Sequence, residues 1–162
     1  MRLDELNALD HERAAGVLLA CCGSTQWAAR MAAVRPFASI DALMSKADAV
    51  WTSLEPADWL EAFAAHPRIG ERPRSAWEAG EQAAVARDAG DAAAARLRLQ
   101  QLNREYEARF GYIFIVCATG KGADEMIALL ERRLRNNPGN ELRAAAAEQG
   151  LITRLRLEKL LT

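Results

Sequence analysis

Residues 103–117 read Asn-Arg-Glu-Tyr-Glu-Ala-Arg-Phe-Gly-Tyr-Ile-Phe-Ile-Val-Cys and combine two opposite structural preferences. The first eight favour a helix, and Gly111 is well placed to end it, because glycine adopts the left-handed conformation that closes many helices. The run from Tyr112 to Cys117 is mostly β-branched or aromatic, which predicts a buried strand or an extended segment. A lone strand has no neighbour for its backbone N–H groups, so these must pair with loops, water or a ligand.

The rest of the chain is rich in alanine, leucine, arginine and glutamate and poor in valine and isoleucine, a composition that favours helix. Capping residues and helix breakers divide it into segments. The predicted helices run from Asp10 to about Cys21, Ser24 or Thr25 to before Pro36, Ser39 to about Ser53, Pro56 to His66, about Ser75 to Ala89, Asp91 to Phe110, a seventh that ends before Asn136, and about Glu141 to Leu161. The sequence therefore predicts an all-α fold of about eight helices with one short extended segment, over about residues 112–118, in a single domain spanning residues 1–162.

Composition and charge exclude several classes of function. The formal net charge of −1 argues against a dedicated nucleic-acid-binding protein, which usually has an excess of basic residues. No apolar run approaches the roughly 20 residues that cross a bilayer, and residues 1–9 lack the pattern of a secretory signal. The three cysteines include no Cys-x-x-Cys pair and two histidines are present, so neither a disulfide framework nor a metal centre is expected. We expect a cytoplasmic protein.

Three groups of residues are candidates for chemistry. His66 precedes Pro67 at the end of a predicted helix, where the helix dipole favours the protonated imidazole, and a rigidly placed histidine suits a general acid. The alternative is a capping or surface histidine. Glu81 and Gln82 can orient a histidine or contact a ligand, or simply belong to a solvated helix face. Arg156 lies among apolar neighbours and can clamp a carboxylate, or extend its charged end to the solvent.

The segment Ala-Thr-Gly-Lys-Gly at residues 118–122 invites comparison with a phosphate-binding loop, but the comparison fails. Such a loop requires a glycine where this chain has Ile115 and a serine or threonine where it has Gly122. We therefore interpret the glycines as turn residues and expect Lys121 to be solvated.

Taken in order, these features resemble the 2-oxo-4-hydroxy-4-carboxy-5-ureidoimidazoline (OHCU) decarboxylase family. No single motif is specific, but the ordered set is, and it covers essentially the whole chain. The matching segments are 35–38 (Arg-Pro-Phe-Ala), 65–70 (Ala-His-Pro-Arg-Ile-Gly), 81–82 (Glu-Gln), 103–111 (Asn-Arg-Glu-Tyr-Glu-Ala-Arg-Phe-Gly), 114–118 (Phe-Ile-Val-Cys-Ala), 131–134 (Glu-Arg-Arg-Leu) and 152–157 (Ile-Thr-Arg-Leu-Arg-Leu).

The resemblance implies an all-α homodimer that decarboxylates OHCU to S-allantoin and CO₂ in urate degradation, with no metal and no organic cofactor. It implies that His66 is the catalytic histidine, that Glu81 is its essential partner and that Arg156 completes the site. Pro67 would line the pocket and Gln82 would contact the substrate. The backbone of an extended segment would also contact the substrate, through Phe114, Ile115, Val116, Cys117 and Ala118.

One position departs from the family pattern. The family usually has a serine three positions before the glutamate, where this chain has Glu78. The hydrogen bond that a serine would make is then not expected, and Glu78 would instead bring a second carboxylate near the site and raise the pKa of the histidine further. We include Glu78 among the candidate substrate-binding residues. Two other functions stay open on the sequence alone: a non-catalytic helical module that binds a purine-derived ligand, and a related lyase on the same scaffold.

Overall fold

The structure, a computed structural model, describes residues 1–68 and 92–162, and these residues form eight α-helices and no β-strand. The helices are α1 (Leu3–Ala8), α2 (His11–Leu19), α3 (Thr25–Ala33), α4 (Ile40–Thr52), α5 (Pro56–Ala64), α6 (Ala92–Phe110), α7 (Ala123–Arg133) and α8 (Pro138–Leu160). The all-α fold is therefore confirmed. None of the described helices is long and apolar enough to cross a membrane. The helix predicted over residues 75–89 lies outside the described residues.

The capping signals place most helix starts correctly. The Asp10 side chain accepts a hydrogen bond from the Arg13 N–H at the start of α2, and Ser24 and Ser39 cap α3 and α4 in the same way. Pro56 is the first residue of α5, as predicted. Gly111 ends α6 with a φ of +84°, a conformation that glycine adopts without steric cost.

Two helix starts differ from the sequence prediction. Helix α1 was not predicted, because its cap is the carboxylate of Glu5, which accepts from the Arg2 N–H at 2.7 Å, rather than a serine or aspartate side chain before the helix. Helix α8 begins at Pro138, three residues before the predicted Glu141. The reason is that Asn137 Oδ1 accepts from the Asn140 N–H at 2.8 Å and supplies a cap upstream of the proline.

The chain divides into two compact units, which are described separately. The first unit comprises Met1–Ala65 with Gln149–Thr162, and its α3 packs against α2, α4 and α5. Its core contains fully buried side chains, among them Trp27, whose indole N–H donates to the Ala47 carbonyl at 3.2 Å. Arg35 donates to the carbonyls of Leu6 and Leu9 at 2.7 and 2.8 Å, which holds the carboxyl end of α1.

The second unit comprises His66–Glu148, and in it α6 packs against α7. Its core is formed by side chains from α6, from α7 and from the segment between them. The buried members are Leu99, Leu102, Tyr106, Phe114, Val116, Ala123, Met126 and Leu130. The candidate histidine and the extended segment both belong to this unit.

Candidate functional site

His66 follows the end of α5 and is half-buried, as is Pro67. Helix α5 ends at Ala64, two residues before the predicted end, because the residue that precedes a proline avoids the helical conformation. The neighbouring Arg68 donates to both carboxylate oxygens of Glu107 on α6, at 2.5 and 3.1 Å. This bidentate ion pair joins the chain just after the histidine to α6, within the second unit.

The segment that follows α6 is extended, as the sequence predicts. Side chains of alternate residues, Tyr112, Phe114, Val116 and Ala118, belong to or pack against the core cluster of α6 and α7. An alternation with a period of two is the signature of an extended backbone. Ile115 is buried but is not part of that cluster.

Side chains, rather than a neighbouring strand, hold the backbone of this segment. The Cys117 N–H donates to Glu148 Oε2 at 2.8 Å, and Lys121 Nζ donates to the Cys117 carbonyl at 2.8 Å. The Arg133 guanidinium donates to the Ile115 carbonyl. The expectation of a solvated Lys121 was therefore wrong, because its half-buried ammonium group binds a backbone carbonyl two residues before the turn.

A buried polar network supports the same segment. Glu141 is 0% exposed, and its Oε1 accepts from the Tyr106 hydroxyl at 2.5 Å and from Arg133 Nε at 2.7 Å, while its Oε2 accepts from Asn136 at 2.9 Å. The Arg133 guanidinium also lies 4.7 Å from the centroid of the Phe114 ring. Burial raises the pKa of Tyr106 above its usual range, and the hydrogen bond to Glu141 raises it further by a smaller amount. The hydroxyl therefore keeps its proton and stays a donor.

Two adjacent residues of α6 contact the two candidate segments, which are the segment that contains His66 and the extended segment after α6. Glu107 binds Arg68, next to His66 and Pro67, while the ring of Tyr106 lies 5.3 Å from that of Phe114 in the extended segment. The motif at residues 103–111 therefore acts as the common support of the two candidate segments in this unit. Sequence reasoning named neither Tyr106 nor Glu107 as functional, although both lie in a motif that carried the family resemblance.

Arg156 belongs to the first unit and is only 6% exposed, so the surface alternative for this residue was wrong. Its charge acts on the thiols of Cys21 and Cys22, both 0% exposed. Burial raises the pKa of Cys21 to about 12 and that of Cys22 to about 11, and the positive charge of Arg156 opposes the rise in both.

The structure thus brings some of the predicted site residues together within one unit. His66, Pro67 and the five residues from Phe114 to Ala118 belong to the second unit, and Arg156 to the first. Glu78, Glu81 and Gln82 lie outside the described residues. In the described ranges no group of three or more histidine, cysteine, aspartate or glutamate side chains is placed to hold a metal ion.

Comparison with known proteins identifies the relatives of this chain. The family model described as OHCU decarboxylase matches residues 7–158. The uric acid degradation bifunctional protein TTL of Arabidopsis thaliana is 38% identical over 147 residues, which are 86% of this chain but 45% of that longer protein. The 2-oxo-4-hydroxy-4-carboxy-5-ureidoimidazoline decarboxylase of Haloferax volcanii is 31% identical over 97% of this chain and 94% of its own length.

Among solved structures, a crystal structure of an OHCU decarboxylase in the presence of (S)-allantoin superimposes with a TM-score of 0.78. It is 38% identical in sequence and covers 88% of this chain and 95% of the other.

Proposed function

Since the chain belongs to the OHCU decarboxylase family, we propose that it is a carboxy-lyase that converts OHCU to (S)-allantoin and CO₂ in urate degradation. The observation that carries this proposal is the 38% identical OHCU decarboxylase, crystallised in the presence of (S)-allantoin, that covers 88% of this chain. The same family match, over residues 7–158, supports a single catalytic domain spanning residues 1–162.

The proposed reaction needs no cofactor, because the substrate supplies its own acceptor of electrons. When the carbon–carboxylate bond breaks, the electron pair of that bond moves toward the neighbouring ring C=N group. The pair forms a double bond to the neighbouring ring carbon, and the π electrons of the C=N group pass to the ring nitrogen, which takes up a proton. The hydroxyl then gives up its proton and becomes a carbonyl, and the former C=N carbon gains the proton that completes the product. The protein needs to hold the carboxylate out of the ring plane and to direct a proton to one face, for which a few polar groups suffice.

His66 is the residue that we propose handles the proton, either by polarising the substrate hydroxyl or by protonating the product carbon. Its place after α5 and the bidentate ion pair of Arg68 with Glu107 support this role, because both restrict the chain around the imidazole. Glu81 would hold the imidazole, and a positioned acid or base of this kind typically contributes about 10²–10⁴-fold to the rate.

Arg156, Gln82 and Glu78 are proposed to bind the polar groups of the ring and of the ureido arm, and Pro67 to line the pocket. The burial of Arg156 supports its part, since a guanidinium withdrawn from water binds a ligand anion more strongly than an exposed one does.

The backbone of the extended segment is proposed to bind the flat edge of the substrate. In an extended chain the N–H and C=O groups of residues i and i+2 point to the same side. Protein side chains bind the C=O of Ile115 and both the N–H and the C=O of Cys117. The peptide groups of Phe114 and Val116 then point to the opposite side, and within the described ranges no hydrogen bond reaches either. Val116 offers a donor and an acceptor side by side, which complements a cyclic ureide.

A coupled assay with the full chain tests the proposed activity. Urate is converted in place by urate oxidase and hydroxyisourate hydrolase, this protein is added, and circular dichroism follows the appearance of one-handed allantoin. We expect a fast single-handed signal. Only the slow racemic background would contradict the proposal, and Glu78→Ser would then be the next variant to test. Tight binding of the ligand without turnover would favour a binding module.

We also propose that the protein is a cytoplasmic homodimer. The three cysteines are free thiols buried in the fold, which supports a reducing compartment. The homodimer follows from the family resemblance, and light scattering coupled to size exclusion tests it directly: a mass of one chain at micromolar concentration would contradict it.

A further inference from the structure

We propose that Glu148, Lys121 and Arg133 are positioning residues for substrate binding, which act through the extended segment 113–118. This inference rests on the proposed function and goes beyond it, since the family resemblance assigns a role to none of the three residues, although Arg133 lies in one of the matching segments. The three side chains form what we call the backbone clamp: Glu148 and Lys121 bind the N–H and C=O of Cys117, and Arg133 binds the C=O of Ile115.

The clamp holds one edge of the segment only. The groups that it binds belong to residues 115 and 117, which face the same side of an extended chain. The side chains of Phe114 and Val116 are packed into the core of α6 and α7, so rotation of the segment about its own axis is also restricted. The opposite edge, with the peptide groups of Phe114 and Val116, is then held in a fixed orientation.

The charges of the clamp suit the task of fixing a backbone. A carboxylate that accepts from an N–H, and an ammonium or guanidinium that donates to a carbonyl, form hydrogen bonds about twice as strong as neutral ones. Glu148 and Lys121 bind the two ends of a single residue, so they set the direction of its peptide groups as well as its position. A binding edge that is ordered in advance loses less entropy when the ligand arrives.

The expected kinetic effect distinguishes positioning from mere stability. A looser edge weakens the binding of the substrate in the ground state and the transition state alike, so KM rises while kcat changes little. Loss of folded protein would do the reverse, because it lowers the apparent kcat and leaves KM unchanged.

The experiment compares Glu148→Ala and Glu148→Gln with the wild-type protein in the coupled assay, and titrates each with (S)-allantoin. Glu158→Ala is the control, since Glu158 is an exposed glutamate on the same helix. We expect Glu148→Ala to raise KM and the dissociation constant of (S)-allantoin about tenfold, the effect of one charge-assisted hydrogen bond. Glu148→Gln keeps an oxygen acceptor and should stay within about threefold of the wild type.

Three results would overturn the inference: KM unchanged in Glu148→Ala, Glu148→Gln as impaired as Glu148→Ala, or a fall in kcat alone. If Glu148→Ala does not fold, Lys121→Met decides, because it removes the other half of the clamp on Cys117 and must also raise KM. A wild-type protein without turnover would instead refute the proposed function, and the titrations with (S)-allantoin would still report on the clamp.

Discussion

Replacing Arg133 by methionine should destabilise the protein by about 3–5 kcal/mol, because it leaves the buried carboxylate of Glu141 without its cation. Glu141 is 0% exposed and Arg133 is 8% exposed, and their closest atoms are 2.6 Å apart. After the substitution, the donors that Glu141 keeps within residues 1–68 and 92–162 are the neutral groups of Tyr106 and Asn136. The Ile115 carbonyl also loses the hydrogen bond of the guanidinium.

The matched control is Arg98→Met. Arg98 pairs with Glu131 at 3.0 Å, and the two side chains are 43% and 40% exposed. Exposed pairs of this kind contribute about 0.2–1 kcal/mol, so the same substitution there should have a small effect.

Urea unfolding measures both variants, with tryptophan fluorescence and circular dichroism required to give coincident transitions. At roughly 2 kcal/mol per molar, the predicted loss for Arg133→Met lowers the midpoint by about 1.5–2.5 M urea. Adding Glu141→Gln to Arg133→Met should recover part of this loss, because the unpaired buried charge is then removed. The reasoning is refuted if Arg133→Met lies within about 1 kcal/mol of Arg98→Met.

The remaining predictions concern two glycines and the two buried cysteines of the first unit. Gly111→Ala should destabilise the protein by about 1–2 kcal/mol, because the φ of +84° is unfavourable for alanine, although the added Cβ meets no atom within 4 Å. Gly16→Ala, at an equally uncrowded position inside α2, should stabilise the protein by about 0.5–1 kcal/mol. Equal shifts of the two variants in thermal melts would contradict both predictions. Cys21 and Cys22 should resist alkylation in the native protein at pH 8, because burial raises the pKa of both thiols, and rapid labelling would contradict their placement. The folded-state pKa values lie above the unfolded value of 9.0, so the unfolded chain loses its thiol protons first as the pH rises. The stability that the two protonated thiols contribute is therefore fully present below pH 9, and it falls by up to about 1.4 kcal/mol per pH unit per thiol as the pH rises toward 11. The double variant in which Cys21 and Cys22 are replaced by alanine should show a shallower loss.

Local signals in the sequence determined much of the fold. Asp10, Ser24 and Ser39 cap their helices as predicted, because an N-cap needs only one side chain and the backbone two or three residues on. The extended conformation of residues 112–117 was also predicted from the sequence, since β-branched and aromatic residues disfavour a helix. Where the cap was of another kind, as with Arg2 at α1, the helix was missed.

The support of the site could not be predicted in the same way. Tyr106 and Glu141 are separated by 35 positions, and only the packing of the second unit brings the hydroxyl to the carboxylate. The local sequence around Arg133, Glu141 and Glu148 looks like that of an exposed, charged helix face. No spacing of residues indicates that these side chains are withdrawn from solvent or that they bind buried polar or backbone groups. Lys121 was misjudged for this reason: its partner is a carbonyl in an irregular segment, which sequence periodicity does not reveal.

The role of His66 is the central claim, and it is tested most directly by measuring the rate and handedness of allantoin formation with His66→Ala. His11→Ala is the control, since His11 is exposed at the start of α2 and is the other histidine of the chain. We predict that His66→Ala lowers the rate of single-handed allantoin formation by about 10²–10⁴-fold, while His11→Ala keeps the wild-type rate. Full activity and an undiminished one-handed signal in a folded His66→Ala protein would contradict the account.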